Sequence, residues 1–211
     1  MIKRLILILL LITSIKITVS AQSWDGVKLQ NGDLLFEDLD CGPLCDAIEE
    51  VTQSYGGHRF SHIGLVYLKA DSAYIIEAIG AKVQLTPIDK FTGRTSHKIY
   101  VGRVRKAYKK IANEAVAFSL SKLNVPYDDE FIYDNGKYYC SELIYDAFMN
   151  ANKNKPFFKL EPMTFKQPGT AEFYPAWVAY YKELSVDIPE AKPGINPGGI
   201  SRSEKIEICN P

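Results

Sequence analysis

Histidine and cysteine are scarce in this chain of 211 residues, and a basic surplus is missing altogether. There are three histidines and four cysteines, and 25 Lys+Arg are matched by 25 Asp+Glu. Without excess positive charge there is little to hold a phosphate backbone, so nucleic acid is not an expected partner. No internal repeat and no low-complexity segment occurs. Beyond the N-terminal stretch, no apolar run is long enough to span a bilayer, so no membrane span is expected in the mature chain.

The N-terminus is the exception to that polarity. Met1-Ile2-Lys3-Arg4 is followed by an apolar run from Leu5 to Ile15 and by the small residues Ser20 and Ala21. A positive start, an apolar core and small residues at the end have the pattern of a secretory signal peptide over residues 1–21, and an exported, periplasmic or extracellular protein is expected. Cleavage there takes three cations and no acid, leaving 22 Lys+Arg against 25 Asp+Glu. The remainder suffices for one domain with a substantial core, expected over residues 22–188, followed by a Pro/Gly-rich extended tail over 189–211.

Along the chain, Asn31-Gly32-Asp33-Leu34-Leu35-Phe36 reads as a turn feeding a short strand. Pro43, Leu44, Ala47, Ile48 and Val51 have helical spacing. Phe60 to Leu68 and Ala73 to Ile79 are rich in β-branched and aromatic residues, with a hairpin loop at Lys69 to Ser72. Lys82 to Leu85 and Lys98 to Val104 continue the series. Ala107 to Leu123 returns to helical spacing and stops at Asn124-Val125-Pro126. A further helix is entered through Pro175 and carries Trp177, Tyr180 and Tyr181. The fold class expected is therefore α+β, an antiparallel sheet packed against helices.

The most informative stretch is Tyr138 to Phe148. Counted from Cys140, apolar residues recur at Leu143, Ile144, Ala147 and Phe148, one stripe of a helix. Asp134-Asn135-Gly136 upstream puts Cys140 in the first turn, where free backbone N–H groups favour negative charge. Cys140 thus reads either as a small buried hydrophobe or as a nucleophile. A thiol nucleophile needs a base. Of the three histidines, His58 and His97 lie in polar loops, whereas His62 sits inside an apolar strand and must find a partner there. For a hairpin loop of even length, Glu77 falls on the same sheet face, opposite His62 or diagonal to it. That pair either satisfies only itself or orients a base. Cys41 and Cys45 make a poor metal site by themselves; they form a local disulfide or remain two free thiols at a helix start. A bridge from Cys140 to Cys209 would abolish a thiol nucleophile.

Gly32-Asp33-Leu34, Ser61-His62-Ile63-Gly64, Glu77 and Tyr139-Cys140-Ser141-Glu142-Leu143, in that order, resemble the YiiX/YaeF group of permuted papain-like cysteine hydrolases, relatives of the NlpC-type cell-wall hydrolases. The resemblance implies a circularly permuted papain-like fold, with Cys140 as nucleophile, His62 as general base and Glu77 as the group orienting His62. Val125-Pro126-Tyr127 is similar to a Pro-Tyr segment of non-permuted relatives and makes Tyr127 a further candidate. The implied chemistry is acyl transfer through a thiol acyl-enzyme, needing no cofactor and no metal. The expected substrate is an amide in a cell-wall peptide; the alternative is a lipid or N-acyl ester or amide, hydrolysed or used for acyl transfer. A non-catalytic wall- or lipid-binding module is the competing reading.

Overall fold

The computed structural model describes residues 23–211; the stretch read as a signal peptide lies outside the described residues. Two short strands, β1 (Ser23–Trp24) and β2 (Val27–Lys28), form a small hairpin. Then follow β3 (Leu34–Glu37), α1 (Pro43–Glu50), β4 (His62–Lys69), β5 (Ser72–Ile79), β6 (Lys82–Pro87), α2 (Ile88–Thr92) and β7 (Tyr100–Val104). The second half supplies α3 (Lys109–Ser121), α4 (Cys140–Ala151), β8 (Glu161–Pro162), α5 (Pro175–Leu184), β9 (Pro193–Gly194), α6 (Pro197–Ser201) and β10 (Ile206–Ile208). Six strands make one antiparallel sheet in the order β10-β7-β3-β4-β5-β6. This is the α+β architecture that the strand and helix patterns predict.

Period-two alternation sorts the sheet's residues into two cores. Leu34, Phe36, Ile63, Leu65, Ile76 and Ala78 face one side, where they meet Ala115 and Val116 of α3 and Leu143, Ile144, Ala147 and Phe148 of α4. Leu35, Val66, Ile75 and Val101 face the other side and pack with Leu29, Phe91 of α2 and Ile99. A third cluster joins Ala47 of α1 to Phe165 and to Trp177 and Tyr181 of α5. Among the described residues, no helix is long and apolar enough to cross a membrane.

One expectation needs correcting. The segment from Pro189 is not a separate extended tail. Ile195, Ile200 and Ile206 are buried in the main core, and β10 completes the sheet beside β7. Gly198 lies so close to the chain at Thr52 and Gln53 that a Cβ would come within 2.4 Å of the Thr52 side chain and 2.6 Å of the Gln53 carbonyl oxygen. Pro/Gly content reads locally as loop, and three spaced isoleucines supply the burial that overrides it. The connection between β6 and β7 contains a short helix, α2, whose Phe91 is fully buried.

Candidate active site

Cys140 is the first residue of α4 and is buried. The helix starts there because the chain before it is extended and pinned. Tyr138 donates its N–H to the Pro126 carbonyl, and Asp128 donates its own to Tyr138. The buried Asp128 carboxylate then accepts from the Glu130 and Ile132 amides and from Asn135. Glu142 reaches back to the Asp134 amide at 2.9 Å and to that of Tyr139 at 3.5 Å, occupying donors that a helix start leaves open. Burial pushes the Glu142 carboxyl up to about 8.

His62 opens β4, at the end of the sheet where α4 begins, and is likewise buried. The hairpin register sets Lys69 opposite Ser72 and Leu65 opposite Ile76; continued, it puts Glu77 across from Gly64, two residues from His62. This is the diagonal case of an even-length loop. Gly64 is needed for that crossing, since a Cβ there would lie 2.2 Å from Ile75 Cγ2. His62 Nε2 lies 2.7 Å from Glu77 Oε2, and His62 and Cys140 line the same cavity.

Glu77 is more fully held than one imidazole requires. Arg94 donates to both carboxylate oxygens, at 2.7 and 2.6 Å, and the Thr86 hydroxyl donates to Oε1 at 2.5 Å. These charge-assisted bonds offset the desolvation of a fully buried carboxylate. Burial acts to raise the Glu77 pKa, yet Arg94, His62 and Thr86 bring it down to about 2. Burial would likewise lower the His62 pKa, but hydrogen bonding to Cys140 and to Glu77 lifts it to about 10. His62 is thus stabilised in its protonated form and lines the same cavity as Cys140, where it can take up a proton and hand it on.

Cys140 is a free thiol, as is Cys209, so the bridge that would silence it does not form. Cys41 and Cys45 are joined by a disulfide instead, with Cα atoms 5.4 Å apart. Tyr127 lines the same cavity as Cys140 and His62. Burial, then the neighbouring Cys140, raises its pKa well above the ordinary tyrosine value, so its hydroxyl keeps its proton. The four residues singled out from the sequence thus meet at one place.

Three contributors escaped the sequence. Arg94 carries no periodic signal; the hint was that a buried Glu77 has more lone pairs than His62 can satisfy. Glu37 sits opposite His62 on β3, fully buried, and its carboxylate has no hydrogen-bond partner among the described residues. The segment around Ile195 is the third. Its amide donates to the Tyr139 hydroxyl at 3.2 Å and its carbonyl accepts from Ser141 Oγ at 2.9 Å. The residues flanking Cys140 thereby tie the C-terminal segment against the site.

Glu37, His62 and Glu77 offer ligand atoms within 4.8 Å of one another, as do Asp38, Asp40 and His97 at the surface. The buried trio does not suit a cation. Both Glu77 oxygens already accept from Arg94, whose guanidinium also stands 3.9 Å from Glu37. A metal ion there would face that positive charge and would displace the hydrogen bond between His62 Nε2 and Glu77.

Comparison with known proteins bears on the family and the fold. The chain is 27% identical over 144 residues to the "Uncharacterized protein YiiX" of Escherichia coli (strain K12), covering 67% of each. Its fold is similar to a crystal structure described as metalloprotein yiiX from Escherichia coli O157:H7, with a TM-score of 0.69 at 21% identity, covering 85% of this chain and 95% of that one. Residues 28–207 match the family described as "Permuted papain-like amidase enzyme, YaeF/YiiX, C92 family", and to that family this chain belongs.

Proposed function

We propose that the protein is an exported thiol amidase in which Cys140 is the nucleophile, His62 the general base and acid, and Glu77 the group that orients His62. The observation that carries this reading is the meeting of the Cys140 thiol at a helix N-terminus with an imidazole held by Glu77 at 2.7 Å. In the first step the S–H proton passes to His62 as the sulfur attacks the amide carbonyl carbon and a C–S bond forms. The C–N bond then breaks as His62 gives its proton to the departing amine. Water next adds to the thioester carbonyl, losing a proton to His62; the C–S bond breaks, the acid leaves, and the sulfur recovers its proton. Backbone N–H groups at the start of α4 receive the oxyanion. Tyr127, protonated beside the sulfur, adds its hydroxyl to that set. Export is supported by the N-terminal sequence pattern and by the Cys41–Cys45 disulfide, which suits an oxidising compartment.

Hydrolysis of simple N-acyl anilides by the wild type and by Cys140→Ala tests the reading. The substitution is expected to remove at least about 10³-fold of the activity, and iodoacetamide is expected to label Cys140 faster in the wild type than in His62→Ala. Full activity in Cys140→Ala, or equal labelling of the two thiols, overturns it.

A further inference from the structure

Charge is unevenly placed on this molecule. Residues 37–50 carry six acids and residues 127–136 carry four, with no lysine or arginine in either stretch. Both stretches border the cavity that holds Cys140, through Leu39, Leu44 and Ile48 in one and Tyr127 and Asp129 in the other. Cations collect at the opposite end of α4. That helix has 12 residues, which sets Ala151 about 17 Å along the axis from Cys140. The chain just beyond it carries Lys153, Lys155 and Lys159.

Three separate segments meet at that end. Tyr108, just ahead of α3, packs edge-on against Phe157 with ring centroids 5.1 Å apart. Lys205 Nζ lies 4.7 Å over the Phe157 ring and donates to the Phe157 carbonyl. The Arg105 amide in turn donates to the Lys205 carbonyl at 2.9 Å. With Lys106, Lys109 and Lys110 from the first segment, eight cations surround one aromatic contact, and all but the half-buried Lys205 are exposed. Three carboxylates temper them: Glu114 pairs with Lys110 at 3.7 Å, Glu161 pairs with Lys159 at 2.6 Å, and Glu204 precedes Lys205.

Helix stability does not account for these lysines. Lys109 and Lys110 are the first two residues of α3, whose first turn holds no acid and whose N-cap residue, Tyr108, supplies no side-chain cap. Cations there oppose the macrodipole. A local rule broken without structural return is a mark of functional demand. Lysines on exposed stems are point charges without a fixed fork of donors. They suit a plane of many phosphates better than a single bound anion.

We propose that this end of the protein docks on the anionic headgroups of a lipid bilayer, electrostatically and without insertion, leaving the mouth of the Cys140 cavity turned toward water. A chain exported as proposed above emerges beside such a surface. The acids bordering the cavity enforce the orientation, because the same headgroups repel them.

The exported protein is sedimented with vesicles of phosphatidylcholine alone and with vesicles that also contain phosphatidylglycerol, at low and at high salt. Binding is expected only to the second kind, and is expected to fall at least about tenfold at high salt, where exposed charges are screened. Lys106→Gln, Lys109→Gln and Lys155→Gln, singly and together, are expected to weaken it about fivefold per lysine removed. Their melting temperatures report that the variants are folded. Equal binding to both kinds of vesicle, binding to neither, or binding indifferent to all three substitutions overturns the proposal. Capture of soluble polyphosphate without capture of vesicles also overturns it and gives the patch to a dissolved polyanion. Orientation is read separately. Iodoacetamide labelling of Cys140, followed by mass spectrometry, is expected to proceed at the same rate with and without phosphatidylglycerol vesicles; slower labelling on vesicles puts the mouth at the membrane and overturns the orientation. Neither readout uses hydrolysis, so the amidase reading stands or falls apart from this one.

Discussion

His62 Nε2 and Glu77 Oε2 are 2.7 Å apart, and the same carboxylate is gripped on both oxygens by Arg94. Position and charge are separable in this arrangement. Arg94 and Thr86 hold the carboxylate in place, and the carboxylate holds the imidazole by Nε2. Glu77→Gln retains much of the shape and removes the charge. It is expected to lower kcat by about 10²–10⁴-fold with a smaller effect on KM. Its kcat–pH profile should also move to lower pH, because His62 loses one of the two partners that raise its pKa. A variant with an unaltered profile would mean that Glu77 only fills space.

The pH dependence of stability follows from the same groups. His62 is raised from 6.5 to about 10, so its contribution is complete below pH 6.5 and is lost as pH rises through about 10. Glu77 is lowered from 4.5 to about 2, so its contribution is present above pH 4.5 and is lost as pH falls toward 2. Glu37 has the opposite sense for an acid. Burial lifts it from 4.5 to about 7, so the folded state favours its neutral form and stability is given up as pH rises from 4.5 through 7. Glu37→Gln is therefore expected to stabilise the protein by about 2–3 kcal/mol at pH 8 and to change little at pH 4. Urea denaturation at the two pH values measures this; a loss of stability at pH 8 would show that the ionised carboxylate is tolerated.

How much of this was legible depended on whether the signal was local. The α4 stripe of Leu143, Ile144, Ala147 and Phe148 is periodic, so both the helix and the place of Cys140 on it could be read. The His62–Glu77 pairing was legible because a hairpin's register is fixed by nearby residues. Arg94 was not. It lies 17 residues from Glu77 in a Gly/Thr-rich connection, and it arrives there only because Phe91 docks in the second core. The segment after Pro189 misled for the converse reason. Prolines and glycines report local geometry, whereas Ile195, Ile200 and Ile206 are held by partners far away in the chain.

The Ile195 anchor gives a third prediction. Tyr139→Phe removes the acceptor for the Ile195 amide and leaves a buried N–H without its partner. The expected cost is about 1–3 kcal/mol. Hydrogen exchange at the Ile195 amide should also quicken, since the segment's tie to the nucleophile helix is cut. Exchange as slow as in the wild type would show that burial of Ile195 and Ile200 alone holds the segment.

The disulfide gives a fourth. Cys41 and Cys45 close a very short loop, so the chain-entropy gain is small, about 2 kcal/mol. For a domain of this size that corresponds to a drop in Tm of about 4–8 °C in the double variant Cys41→Ser/Cys45→Ser. The larger consequence is local. α1 carries Leu44 and Ile48 into the cavity wall, yet Gly42 at its N-terminus supplies no side-chain cap. The disulfide stands in for that missing restraint on the first turn. Without it, limited proteolysis should cut within residues 38–54 well before the rest of the chain opens. A mild reductant should do the same to the wild type while leaving the Cys140 thiol intact. A double variant that melts at the wild-type temperature and resists proteolysis at α1 would show that the contacts of Ala47 with Phe165 and Trp177 suffice to hold the wall.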